Sequence, residues 1–204
     1  MSYYSHVAII PARKNSKGFP MKNRLYFNKT AKFVKSLKWF EKIILTSDDK
    51  WFKGKCKKNK FEFYQRSKNL SGPKVPIKKV FQDIIKKYSF NSKTILWLIY
   101  IPLIPKSKNN YIYAKKKIET KKVKSLCGFT NVITHPFLTW GIKNKKIFQF
   151  VKNNVFRRQD LPKAYSHNHI VCCFKINEIK NLNNELLNVN TYPLIIKEKI
   201  TEID

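Results

Sequence analysis

Acidic residues are scarce in this chain. Over 204 residues it sets 12 Asp and Glu against 43 Lys and Arg, a formal charge of +31. That balance points to an anionic partner, whether nucleic acid, a membrane surface or a phosphorylated small molecule, without choosing among them. Glycine is scarce too, at five residues, and neither common glycine-rich phosphate loop, GxxxxGK[ST] or GxGxxG, occurs. The four cysteines, Cys56, Cys127, Cys172 and Cys173, form no CxxC pair, so reduced, buried thiols in a cytoplasmic protein are expected. Long hydrophobic runs are missing. "TILWLIYIPLI" is about half the ~20 residues that span a bilayer, and "MSYYSHVAIIPAR" lacks the charged and apolar regions of a secretory leader. No membrane partner is expected.

What is present is enough for one compact domain, with 43% hydrophobic and 14% aromatic residues. The lysines are spread along the whole chain and accompany many Asn and Ile, as AT-rich coding would produce. A dedicated nucleic-acid surface would cluster Arg in a recognisable module, and there is no zinc-finger spacing, RNP-like aromatic pattern or basic zipper. Of the four histidines, His167 and His169 alone stand in an H-x-H pair, weak as metal-ligand spacing, and a structural role is expected for all four.

Short apolar runs alternate with amphipathic segments. "HVAII", "KIILTSDD", "KFEFYQR", "TILWLIY" and "VKSLCGF" read as strands. "KTAKFVKSLKWF", "PIKKVFQDIIKKY" and "NNYIYAKKKIETKK" read as helices, and another begins near Asp49. This alternation predicts an α/β fold of βαβ units around a mainly parallel sheet, with ligands at the carboxyl ends of the strands. From about residue 132 to 165 the rhythm loosens into an aromatic-rich excursion, and "IVCCFKINEI" and "YPLIIKEKITEID" then resume a strand-like pattern.

The first strand runs into "PARKNSKGFPMKNR", which carries Arg13, Lys14, Lys17, Lys22 and Arg24 among small polar residues. A loop at that rim can wrap phosphate oxygens with its amides and Ser16, while its cations neutralise a polyphosphate. A solvated basic turn fits the same residues.

"IIPARKNSKGFPMKN" resembles the signature of the acylneuraminate cytidylyltransferases, the CMP-sialic acid synthetases, at Pro11, Ala12, Arg13, Ser16, Lys17, Pro20, Lys22 and Asn23. "TSDD" at residues 46–49, "RRQDLPKAY" at 157–165 and the terminal "TEID" follow in the family's order, so the resemblance covers essentially the whole chain. It implies a Rossmann-like three-layer nucleotidyltransferase fold in a single domain. The implied reaction joins CMP from CTP to the anomeric hydroxyl of a nonulosonic, sialic-acid-like sugar and releases pyrophosphate, with Mg2+ as cofactor. By the resemblance, Ala12, Arg13, Ser16, Lys17, Lys22, Asn23 and Arg66 bind the nucleotide, with Arg13 and Lys22 catalytic. Arg158, Gln159 and Tyr165 bind the sugar, and Glu202 and Asp204 hold the metal.

The departures are specific. Ile101 stands where many members carry Gln, "LSGPK" replaces an S-D-T segment, His169 replaces a Gly and Glu202 replaces the first Asp of the metal pair. The family continues into a further helix beyond the position of Asp204. The excursion corresponds to the family's dimerisation element, so a homodimer is expected. Two alternatives stay open: transfer to the related eight-carbon 3-deoxy sugar acid, and an inactive, basic nucleic-acid-binding protein on the same scaffold.

Overall fold

A computed structural model of the chain describes residues 4–14 and 19–203. Ser16, Lys17 and Asp204 lie outside the described residues. β1 (Ser5–Pro11), α1 (Lys22–Leu37), β2 (Lys42–Ser47), α2 (Trp51–Asn59) and β3 (Glu62–Gln65) form the first half. α3 (Ile77–Tyr88), β4 (Thr94–Leu98), β5 (Leu103–Ile104), α4 (Lys108–Ile118) and β6 (Ser125–Asn131) follow. Then come β7 (Trp140–Lys143), β8 (Lys146–Gln149), β9 (Tyr165–Lys175), β10 (Tyr192–Ile195) and β11 (Thr201–Glu202).

Seven strands make one sheet in the order β10-β6-β9-β4-β1-β2-β3. β1 pairs in parallel with β2 and β4, β2 with β3, and β6 with β10, while β9 runs antiparallel between β4 and β6. The order reverses at β1, because the chain builds outward through β2 and β3 and then returns to place β4 on the other side. That reversal opens a crevice at the carboxyl ends of β1 and β4, the usual ligand position in such sheets.

Both sheet faces are covered, which explains the unbroken apolar runs. Ala8, Ile10, Ile95 and Trp97 meet Phe27, Ala31 and Val34 of α1, Phe52 of α2 and Tyr111 of α4. Their strand neighbours Val7, Ile9, Leu96 and Leu98 meet Val80, Phe81 and Ile84 of α3 on the opposite face. The three-layer expectation is met.

α1 starts seven residues before the amphipathic segment that announced it. Its first turn carries Lys22 and Asn23, which present no apolar periodicity, and its end comes where Lys38 takes a left-handed φ of 60°. β9 likewise starts at Tyr165, earlier than its apolar stretch, because the polar "YSHNH" extends the pairing with β6. Between β6 and β9, residues 132–164 leave the sheet. They carry the two-stranded β7–β8 hairpin, and their neck is pinned by Val132 N–H donating to the Ala164 carbonyl at 3.2 Å.

Candidate active site

The loop after β1 leaves the sheet along a fixed path. Ala12, fully buried, donates its N–H to the Thr46 carbonyl at 2.9 Å and accepts at its own carbonyl from the Ser47 hydroxyl. Two residues on, the Lys14 N–H donates to Asp48 Oδ1 at 2.7 Å. Asn23, in the first turn of α1, donates its Nδ2 to the Arg13 carbonyl at 2.9 Å. The two ends of the basic loop are thereby tied together, and the α1 N-terminus, with its positive dipole end, sits beside Arg13.

The "TSDD" segment is the frame for this loop. Asp49, 5% exposed, takes a two-point ion pair from Arg24, with Nε–Oδ2 at 2.7 Å and NH2–Oδ1 at 2.8 Å. It also accepts from the Trp51 N–H at 3.1 Å, which anchors the start of α2. Hydrogen bonding from Arg24 holds the Asp49 carboxyl below its usual range despite opposing burial. Both Asp side chains are spent on architecture.

Arg66 is the unusual cation. Only 6% exposed, it donates Nε to Thr46 Oγ1 at 3.3 Å and NH2 to the Thr46 carbonyl at 2.9 Å, and no carboxylate forms an ion pair with it among the described residues. Burial pushes its pKa down to about 10, with Asp48 pulling the other way. A buried guanidinium without a counter-ion is costly unless an anion arrives to meet it.

Arg13, Lys22, Asn23 and Arg66 line one cleft of about 270 Å³ at the sheet's reversal point. Its opposite wall is apolar: Leu70, Val75, Ile77 and Val80, with Gly72 and Pro73 of the "LSGPK" segment beside them. Glu202 completes the lining from β11, which pairs antiparallel with β5 and places Glu202 opposite Leu103. Lys22 Nζ donates to the Ile203 carbonyl at 2.9 Å, joining the start of α1 to the residue that follows this strand. A cleft with cations on one side, a carboxylate at its mouth and an apolar wall suits a nucleoside polyphosphate.

Glu202 offers oxygen ligands, and its carboxylate makes no hydrogen bond or ion pair among the described residues. Mg2+ takes hard oxygen ligands, commonly one or two carboxylates with substrate phosphates and waters, so the group fits.

Arg158, Gln159 and Tyr165 stand elsewhere. Arg158 and Tyr165 line a separate cavity of about 690 Å³ at the base of the excursion, together with His135 and Leu161. Arg157 pairs with Asp160 at 3.5 Å, and Gln159 turns its amide oxygen toward Arg157 at 2.7 Å, so these two hold the turn. Within one chain Arg13, Lys22, Asn23 and Arg66 line one cavity and Arg158 and Tyr165 another, while Ala12 and Gln159 line neither.

The departures from the family pattern resolve individually. Ile101 is fully buried in the core, while its neighbours Tyr100 and Pro102 line the cleft. His169 does not line the cleft; it lies behind Tyr100, with ring centroids 5.6 Å apart. Tyr100 had no motif to mark it, and Arg24 was one cation among many until Asp49 singled it out.

No protein-family model matches the chain. Curated N-acylneuraminate cytidylyltransferases of Streptococcus agalactiae are similar to it: that of serotype III strain NEM316 is 27% identical and that of serotype V strain 2603 V/R is 25% identical, each over 173 residues and 79% of this chain. The alignment covers 41% of each of them, so the chain spans about two fifths of the length of the curated relatives it matches. Among solved structures, the Francisella tularensis 2-C-methyl-D-erythritol 4-phosphate cytidylyltransferase superposes with a TM-score of 0.64 at 9% identity, covering 98% of this chain and 94% of that one. A CMP:2-keto-3-deoxy-manno-octonic acid synthetase complexed with CTP gives 0.57 at 10% identity, covering 87% and 76%. These structures share the fold, a Rossmann-like α/β sheet with helices on both faces. No helix among the described residues is long and apolar enough to cross a membrane.

Proposed function

We propose that this chain is a cytidylyltransferase that moves CMP from CTP to the anomeric hydroxyl of a nonulosonic acid and releases pyrophosphate. The observation that carries the reading is the convergence of Arg13, Lys22, Arg66 and Glu202 on one cleft at the reversal point of the sheet. The similarity to the streptococcal enzymes supports the nucleotide and the sugar class.

In this mechanism the sugar hydroxyl attacks the α-phosphorus in line, the bond to the bridging oxygen of the leaving pyrophosphate breaks, and the hydroxyl proton passes to solvent. Lys22 and Arg13 stabilise the charge that spreads over the pentavalent centre and the leaving group, and the α1 amides add to their field. Asn23, fixed by the Arg13 carbonyl, and Arg66, fixed by Thr46, orient the nucleotide with little reorganisation. The apolar wall from Leu70 to Val80 takes the flat base and excludes water from that side. Glu202 would hold Mg2+, with Asp204 as the second carboxylate. The ion supplies Lewis-acid polarisation of the phosphoryl oxygens and orientation of the triphosphate.

The sugar residues call for a second subunit. The excursion exposes Ile142 at 78%, Ile147 at 68%, Phe150 at 62% and Phe156 at 88%, a set of apolar side chains that a free surface rarely carries. A two-fold dimer would cover them and bring Arg158 of one chain toward the cleft of the other, where its guanidinium would bind the sugar carboxylate.

Pyrophosphate release with CTP, Mg2+ and a panel of nonulosonic acids, including the eight-carbon 3-deoxy acid, tests the proposal. Turnover with a nine-carbon sugar is expected. Turnover with the eight-carbon acid alone would reassign the sugar, and thermal protection by CTP without turnover on any sugar would leave an inactive nucleotide binder. Salt-sensitive binding to duplex DNA without CTP protection would favour the nucleic-acid alternative.

A further inference from the structure

A second cluster of reactive side chains lies between β6 and β9, outside the cleft. Cys127 and Cys172 stand directly opposite each other in the antiparallel pairing, at 0% and 1% exposure. Immediately beyond them the register jumps: Cys127 faces Cys172, but the next residue, Gly128, faces Asn168. Residues 169–171 are taken up by this bulge, which turns His169 back toward the two thiols. The bulge depends on Gly128, where a Cβ would lie 2.8 Å from Asn168 Oδ1. One donor atom from each of Cys127, His169 and Cys172 lies within 4.8 Å of the others, and all three residues are buried.

The histidine is arranged as a ligand. Its Nε2 donates to the Glu185 carbonyl at 2.8 Å, which places the ring proton there and leaves the lone pair on Nδ1. Nδ1 makes no hydrogen bond among the described residues. A backbone carbonyl fixing the far nitrogen is the usual outer contact of a metal-bound imidazole. His167, His169 and Glu185 form an overlapping triple whose donor atoms lie within 4.8 Å, with His167 and Glu185 exposed and His169 shared.

We infer that Cys127, His169 and Cys172 form a binding site for a thiophilic divalent cation, Zn2+ by ligand type, staked across the β6–β9 pairing. Two sulfurs and one imidazole nitrogen suit Zn2+ and not Mg2+, and three protein ligands leave a fourth position for water. As the ion binds, each thiol gives up its proton to solvent and its sulfur coordinates as thiolate, while the imidazole binds neutral. No electron is transferred. Because His169 packs edge-on against Tyr100, which lines the nucleotide cleft, an ion here stiffens the wall behind the cleft without touching the reacting groups. The inference stands on the β6–β9 geometry and not on the cytidylyl reading.

Titration of the purified full chain with Co2+ tests it. One equivalent is expected to produce a sulfur-to-cobalt charge-transfer band that Zn2+ abolishes and a large excess of Mg2+ does not. His169→Gln and Cys172→Ser should each weaken Co2+ binding by at least ~10-fold, and Cys56→Ser should not. On the unaltered chain, Zn2+ should protect two of the four thiols from slow alkylation, a readout that does not depend on how the variants fold. No band at one equivalent, a band unchanged in His169→Gln, or alkylation unaffected by Zn2+ would each overturn the site.

Discussion

Lys22 Nζ donates to the Ile203 carbonyl at 2.9 Å, a bond that spans 181 positions of sequence. It ties the first turn of α1 to the residue that follows Glu202, so the placement of the cation is coupled to that of the cleft carboxylate. Loss of this cation should act on both the charge in the cleft and the placement of the C-terminal strand.

Lys22→Ala is therefore expected to lower kcat by ~10²–10³ while the folded chain persists, since a transition-state cation is removed from a cleft whose core contacts are elsewhere. Steady-state pyrophosphate release, with circular dichroism as the control for folding, measures it. Near-normal turnover would remove Lys22 from the mechanism.

The Arg24–Asp49 pair predicts a pH dependence of stability. Hydrogen bonding from Arg24 is the leading cause that lowers the Asp49 pKa from its ordinary 3.8. A group depressed on folding contributes stability that is fully present above its unfolded pKa and lost as pH falls through the folded value. Asp49→Asn should thus lower the unfolding midpoint by about 2–4 °C at neutral pH. The gap from wild type should close below ordinary aspartate pKa values, as followed by thermal denaturation across pH. A gap that persists undiminished in strong acid would show that Asp49 acts through shape and not charge.

Lys106 predicts a slope of the same sign in a more alkaline window. Its ammonium donates to the Ile101 and Leu103 carbonyls beside an apolar cavity lined by Tyr26, Phe33 and Pro105, and burial pushes its pKa from 10.5 down to about 8. Between those values the unfolded chain holds a proton that the folded chain has shed, so stability rises with pH across the window. Wild type should gain about 2 kcal/mol relative to Lys106→Met between pH 7 and 10, read from denaturant unfolding of both proteins. A constant difference would mean that Lys106 stays charged throughout.

Assembly is tested on the excursion. Phe148 covers Gly141 within its own hairpin, where a Cβ on Gly141 would come within 2.2 Å of the ring, so the more exposed Phe150 and Phe156 are the better probes. Light scattering in moderate salt should give twice the 24.3 kDa chain mass, falling to the single mass in a Phe150→Glu, Phe156→Glu variant. That variant should also need more sugar, though not more CTP, for half-maximal rate, as should Arg158→Ala. A stable single-chain mass for wild type would sink the dimer and leave Arg158 without a route to the cleft.

The sequence by itself determined the layers of the fold and one side of the cleft. Residues buried on both faces of a sheet read as apolar runs, helix faces repeat every three to four residues, and both signals are local, so "HVAII" and "PIKKVFQDIIKKY" were legible without neighbours. The basic loop after β1 was legible for the same reason, since a strand followed by clustered cations is a contiguous feature. Tertiary structure decided what depends on register and on long-range pairing. Only the sheet order puts Arg66 beside Arg13, and only the pairing of β11 with β5 carries Glu202 to them. Asp49 was separated from other acids by a partner 25 residues away. The displacement of Arg158 from the cleft, and the bulge that turns His169 toward Cys127 and Cys172, depend on how the chain leaves and rejoins β6. No local periodicity encodes such a path, because backbone pairing and packing across distant segments set it.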